Sequence, residues 1–273
     1  MRIDDAAIEQ HGATGTPGKP SVDRIPIEFD LGGAHLGDLL MALPAIGAVA
    51  RQARVVVSGL PPRHFTALRA LPVAFRQTCE RPAHTLRPCF QPGMHRTLAW
   101  LQAVGEGVQP VRIPIPVHGL RQAEAMLPAG NWALLSPWAD YAGKRWSMRH
   151  WAALAGALQE RGYEVALIGP PPSKGLEVVE WPAGVVDLRG RDSATTWPAL
   201  LTRASLVVSV DTGCLHMADA LGIPVVGLYS VAHPSEYAPF WQRSQCVHSA
   251  RMEEMALAQV VALVDRIAIG SRP

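Results

Sequence analysis

No apolar run in this 273-residue sequence approaches the ~18 residues that a membrane-spanning helix requires. Charge of one sign is also missing in excess. A net charge of +2 argues against general nucleic-acid binding, which needs a strongly basic face. The four cysteines, Cys79, Cys89, Cys214 and Cys246, form no closely spaced pair of the metal-binding kind. They read as packing or incidental thiols, and neither a disulfide framework nor a structural zinc is expected. The opening residues, MRIDDAAIEQ, are acidic and hold no apolar segment, so a secretory signal is not expected and the cytoplasm is the expected location. The sequence has no nucleophile elbow. It also has no Walker-type loop, because no glycine spacing ends in Lys followed by Ser or Thr.

What is present suits a globular α/β protein. Hydrophobic residues make up 48% of the chain and charged residues 18%, and this length can bury a large core without disulfides or metals. Residues 1–24 read as a loose leader rich in Gly, Pro and Thr. A first domain is expected over 25–129: strand (Ile25 to Phe29), glycine turn, apolar helix (Leu39 to Ala50, with Pro44 in its first turns or at a kink), strand (Val55 to Ser58). Within it, residues 61–96 carry six arginines (Arg63, Arg69, Arg76, Arg81, Arg87 and Arg96) against the single acid Glu80. That segment is either a solvated irregular face or a surface for an anionic acceptor or lipid headgroups. A second domain is expected over 130–273. Strands are predicted at Trp132 to Leu135, Tyr163 to Gly169 and Val185 to Leu188. Met148, Trp151, Leu154, Ala155 and Leu158 fall on one face of a helix that Gly162 ends. A helix over Trp197 to Arg203 and an amphipathic terminal helix over Met252 to Ile267 complete it.

The most informative stretch is VVSVDTGCLHMADALGIPVVGLYS, Val207 to Ser230. It reads as a strand (Leu206 to Val210), a turn (Asp211, Thr212, Gly213), a helix (Cys214 to Leu221) and a second strand (Val225 to Tyr229). Two buried strands around a short helix form a βαβ unit of a parallel sheet. The turn opens a helix, where unpaired N–H groups and the positive end of the helix dipole suit a phosphate. Gly213 permits close approach and Thr212 adds a hydroxyl. Asp211 could cap the helix through its side chain.

Three clusters follow strands and so should face one cleft. They are Gly32, Gly33, Gly37 and Asp38; the loop Ser136 to Trp146; and the Asp211 turn. Asp38 is the candidate general base, with helix capping as the alternative. Lys144 or Arg145 would neutralise a diphosphate leaving group, unless they are a surface pair flanking Trp146. His216 would donate to a phosphate or sugar oxygen, unless it is satisfied by local backbone. It has no His or Cys partner at metal-ligand spacing. The turn at 32–37 fits a dinucleotide fingerprint poorly because Asp38 stands where a pyrophosphate would sit.

These residues resemble glycosyltransferase family 9, the ADP-heptose:lipopolysaccharide heptosyltransferases. The resemblance is carried in order by GDLLMALPAI (Gly37 to Ile46), SPWADYAGKRWSMRHWAALAGAL (Ser136 to Leu158), GYEVALIGPP (Gly162 to Pro171) and the Asp-Thr-Gly, His signature. It implies a GT-B fold, two Rossmann-like domains facing a central cleft, here with a reduced N-terminal domain. It implies inverting transfer from a nucleotide-diphosphate sugar to a glycan hydroxyl, with no cofactor and no obligatory metal. Asp38 would be the base. Lys144, Arg145, Asp211, Thr212, Gly213 and His216 would form the donor site. Gly37, Arg63 and Arg87 would lie on the acceptor side. The implied partners are a nucleotide-sugar donor and a glycan or glycolipid acceptor, with peripheral contact at the cytoplasmic face of the inner membrane and no nucleic acid. Trp138 stands where the family usually has glycine, and Ser230 to Pro234 replace its Gly-Pro-Thr-Asp-Pro. A sugar-nucleotide epimerase or hydrolase, and an inactive nucleotide-sugar binder, are the alternatives.

Overall fold

A computed structural model describes residues 26–33, 35–59, 74–75, 84–108, 113–171, 177–191, 193, 196–241 and 245–270. The leader, Arg63, Arg69, Arg76, Arg81 and Cys79 lie outside these residues.

The first unit runs β1 (Ile27–Asp30), α1 (Leu36–Ala50), β2 (Val55–Ser58), β3 (Ala74–Phe75), β4 (His84–Leu86) and α2 (Arg96–Val104). Its four strands are parallel in the order β3-β2-β1-β4. After α3 (Val117–Met126) comes the second unit: β5 (Trp132–Ser136), α4 (Met148–Gln159), β6 (Glu164–Leu167), β7 (Val186–Asp187), α5 (Thr196–Leu201), β8 (Ala204–Val210), α6 (Gly213–Ala220), β9 (Val225–Tyr229), α7 (Pro234–Tyr237), β10 (Cys246–His248) and α8 (Leu257–Gly270). This sheet is also parallel, in the order β10-β9-β8-β5-β6-β7. Strands such as VVVS and WALLS are buried at every position because helices cover both faces of a parallel sheet.

The predicted face of α4 is the buried one: Met148, Trp151, Leu154, Ala155 and Leu158. Ser147 caps that helix by accepting from the His150 N–H at 3.3 Å. Gly162, at φ +80°, closes the turn that follows. Two predicted helices need correction. The first begins at Leu36, three residues early, so Asp38 lies in its first turn rather than ahead of it, and Pro44 sits mid-helix. Pro44 removes one internal hydrogen bond, but α1 is buried on nearly every side and packing carries it through. The terminal segment is not one helix from Met252. A 3-10 turn (Met252–Glu254) precedes α8, and the Gln259 side chain accepts from the Ala256 N–H at 3.1 Å to start the helix anew.

The sheets divide near the expected boundary at 129, but α3, which lies before it, packs on α5 of the second unit. α1 packs against both α2 and α6. One apolar cluster therefore runs without a break from Phe29, Leu43 and Trp100 to Leu200, Leu215 and Tyr229. A second cluster lies under α4 and α8 on the far face of the larger sheet.

Candidate active site

A cavity of about 840 Å³ opens between the carboxyl ends of the two sheets. This is where parallel α/β units bind ligands. Leu36, Gly37 and Asp38 line it from α1. Lys144 lines it from the loop after β5, and Asp211 and His216 from the turn and helix after β8. The two carboxylates named from the sequence, Asp38 and Asp211, thus share one hollow.

Close contact between the starts of α1 and α6 brings the halves together. A Cβ at Gly37 would stand 2.9 Å from His216 Cδ2, and one at Gly213 would stand 3.2 Å from Leu36. Both positions are helical, so the reason for glycine is space rather than φ. The Asp38 Oδ2 accepts from the His35 N–H at 2.9 Å. The carboxylate therefore ties the start of α1 and borders the cavity at once. Its charge also reaches Tyr237, whose hydroxyl is pushed up by burial first and by Asp38 in addition, against Arg96.

Asp211 does not cap α6, contrary to expectation. Thr212 is the N-cap, extended and with no side-chain cap bond; its Oγ1 donates to the Val210 carbonyl at 3.3 Å. The Asp211 carboxylate faces Lys144 instead, with Nζ to Oδ2 at 2.6 Å, and Nζ also lies 3.3 Å from the Asp211 carbonyl. His216 Nε2 is 3.8 Å from the other carboxylate oxygen, beyond hydrogen-bond range. Burial alone would raise the Asp211 carboxyl. His216 and the Lys144 ammonium outweigh it and hold the group below the usual carboxylate value.

The neighbouring cation is differently placed. The 3-10 turn Ala142–Lys144 sends Lys144 to Asp211 and turns Arg145 back onto its own loop. Arg145 Nε donates to the Ala139 carbonyl at 2.7 Å and Nη2 to the Asp140 carbonyl at 3.0 Å, with the guanidinium 3.8 Å from the Trp138 ring centroid. It is not among the cavity-lining residues. Arg87 does not line the cavity either. Its exposed side chain pairs with Asp30, Nε to Oδ2 at 2.8 Å. Arg63 lies outside the described residues. Cys89, Cys214 and Cys246 are thiols.

Sequence reasoning missed the wall contributed by α7. Glu236 and Tyr237 line the cavity. The signal was present: Glu236 follows His233, at the altered loop, by three residues and restores an acid on the next helical turn. A clasp from the start of α2 holds this wall. The Gly93 N–H and Arg96 Nη2 each donate to Glu236 at 3.0 Å, and Arg96 also lies over the Tyr237 ring at 4.9 Å. His95 Nδ1 accepts from the Thr97 N–H at 3.2 Å, which leaves the ring proton on Nε2 to donate to the Ala238 carbonyl at 2.9 Å. Burial chiefly, with His216 nearby, holds His95 below its usual value of 6.5, against the raising effect of the Ala238 bond.

The unfolded chain binds this proton more readily than the folded one, so the His95 contribution is complete above about pH 6.5 and declines as pH falls. Protonation also removes the Nδ1 acceptor that caps α2. We expect thermal unfolding to show falling stability from about pH 6.5 downward, and His95→Asn, a capping residue that does not titrate, to flatten that limb.

A family model described as glycosyltransferase family 9 (heptosyltransferase) matches residues 95–263. The chain belongs to glycosyltransferase family 9. The family 9 relatives include the lipopolysaccharide core heptosyltransferase OpsX of Haemophilus influenzae, 30% identical over 112 residues, covering 39% of this chain and 32% of that protein. Lipopolysaccharide heptosyltransferase 2 of Escherichia coli is 28% identical over 135 residues, covering 45% and 39%. These matches therefore span well under half the length of either relative. Among solved structures, a family 9 glycosyltransferase from Veillonella parvula superposes with a TM-score of 0.71 at 13% identity, covering 91% of this chain and 98% of that one. The E. coli ADP-heptose heptosyltransferase II does so at 0.62 and 15%, covering 90% and 99%. The family 9 fold, two Rossmann-like units around a cleft, is the architecture described above. No helix among the described residues is long and apolar enough to cross a membrane.

Proposed function

We propose that this family 9 chain transfers a sugar, heptose from ADP-heptose, to a hydroxyl of a glycan such as lipopolysaccharide core, with inversion and without an obligatory metal. The observation that carries the reading is the shared cavity. Asp38 borders it from one half, and the Lys144–Asp211 pair with the start of α6 borders it from the other. Asp38 accepts the proton of the attacking hydroxyl. The oxygen displaces the diphosphate in line, so one base and one stabilised leaving group complete the reaction.

An ammonium has three donors. Two of those on Lys144 are directed at Asp211, and the third remains for a phosphate oxygen. Asp211 thus serves as the fixed anchor of the cation rather than as a direct ligand of the diphosphate. The start of α6, with no capping side chain at Thr212, adds the positive end of its dipole, while Gly213 lets Leu36 of the other half pack against that start. His216, beside Gly37, is placed to meet the sugar or phosphate where the halves join. A glycolipid acceptor fits peripheral residence at the cytoplasmic face of the inner membrane.

A panel of sugar nucleotides, with and without lipopolysaccharide core extract, tests this reading. ADP release from ADP-heptose that depends on the extract and survives chelation supports it. Release without acceptor points to a hydrolase, and binding with no turnover points to an inert binder.

A further inference from the structure

We propose that Trp138 is a stacking platform for a saccharide ring of the acceptor; the proposal rests on the transferase reading above. Trp138 borders the cavity and Arg145 does not, although its guanidinium lies 3.8 Å from the indole centroid. Arg145 stacks on the indole without bordering the cavity, so Trp138 meets the cavity with a part of the ring that Arg145 does not cover. Two loop carbonyls, Ala139 and Asp140, fix the guanidinium, and the ring is held by the cation stacked on it. A ring already locked loses little freedom when it binds.

The loop is anchored as well. Ser230 Oγ donates to the Gly143 carbonyl at 2.7 Å, and the buried Trp146 Nε1 donates to the Met255 carbonyl at 3.0 Å. The position of the ring selects its occupant. Lys144 and the 5%-exposed Asp211 form the floor, where a charged diphosphate belongs. Trp138 is half-buried and borders the cavity on a loop that leaves Asp140 exposed and Tyr141 61% exposed. A saccharide ring of the acceptor that reaches past the diphosphate toward solvent would meet the indole. Its C–H face suits an indole π-cloud, and the nearby Asp140 carboxylate suits its hydroxyls.

The test is acceptor kinetics with a deacylated lipopolysaccharide core oligosaccharide and ADP-heptose, paired with saturation-transfer NMR of the oligosaccharide on the protein. Trp138→Gly removes the ring and leaves the loop's anchors, the Arg145, Ser230 and Trp146 bonds to backbone carbonyls, untouched. It should raise the acceptor KM roughly five- to tenfold and remove the saturation transfer, with donor KM held within about twofold. Trp138→Phe should recover most of the loss. An unchanged acceptor KM in Trp138→Gly, or a rise confined to the donor KM, overturns the platform while leaving the transferase intact. Absence of transfer by the wild-type chain removes both.

Discussion

Asp38→Asn should lower acceptor-dependent ADP release by about 10²–10⁴-fold, the range contributed by a positioned general base. The substitution keeps shape and removes proton affinity. The amide oxygen can still accept from the His35 N–H, which the carboxylate now does at 2.9 Å, so the start of α1 should survive. ADP affinity, measured by calorimetry, should stay within severalfold because the residues proposed to hold the diphosphate line the other half of the cavity. A variant that turns over at the wild-type rate would show that Asp38 is only a helix-end residue.

Lys144→Ala is expected to act on binding and stability together. Loss of a charge-assisted bond to the diphosphate should weaken ADP about ten- to a hundredfold. The same change leaves the Asp211 carboxylate buried, with His216 Nε2 at 3.8 Å, beyond hydrogen-bond range. Stranding one member of a buried pair is costly, up to about 3–5 kcal/mol, and less here because Lys144 is partly exposed. In the wild type the folded Asp211 carboxyl lies below its usual value of 3.8, so its stabilising effect is present above that pH and is lost as pH falls through the folded value. Without Lys144 the loss should begin at higher pH. Adding Asp211→Asn to Lys144→Ala should recover melting temperature but not ADP affinity, which separates the two roles. Unchanged ADP binding in the single variant would end the phosphate assignment.

Much of this site was legible in the sequence because its parts are local. Strand, turn and helix around Asp211 follow from the buried apolar runs and the glycine, and the α4 face follows from helical spacing. The errors concern contacts that no local pattern carries. Capping was the nearest use for Asp211, but its carboxylate met a lysine 67 residues earlier in the chain. Lys144 and Arg145 are adjacent and both cationic. Only the 3-10 turn ahead of them decides which one reaches the cavity. The clasp between Arg96 and Glu236 joins residues 140 positions apart. The sequence marked Arg96 only as one of six arginines and Glu236 only as an acid beside the altered loop, and no local pattern pairs the two.

The unbroken apolar cluster that passes through α1 and α6 limits how this molecule can work. Prising the halves widely apart would wet leucines on both helices, at roughly 25 cal/mol for each Å² newly exposed. Wide separation of the two units is therefore disfavoured, and the cavity is expected to keep its shape as it fills. By the same reasoning, cutting the chain at residue 129 would leave two sticky fragments, each missing the other's oil.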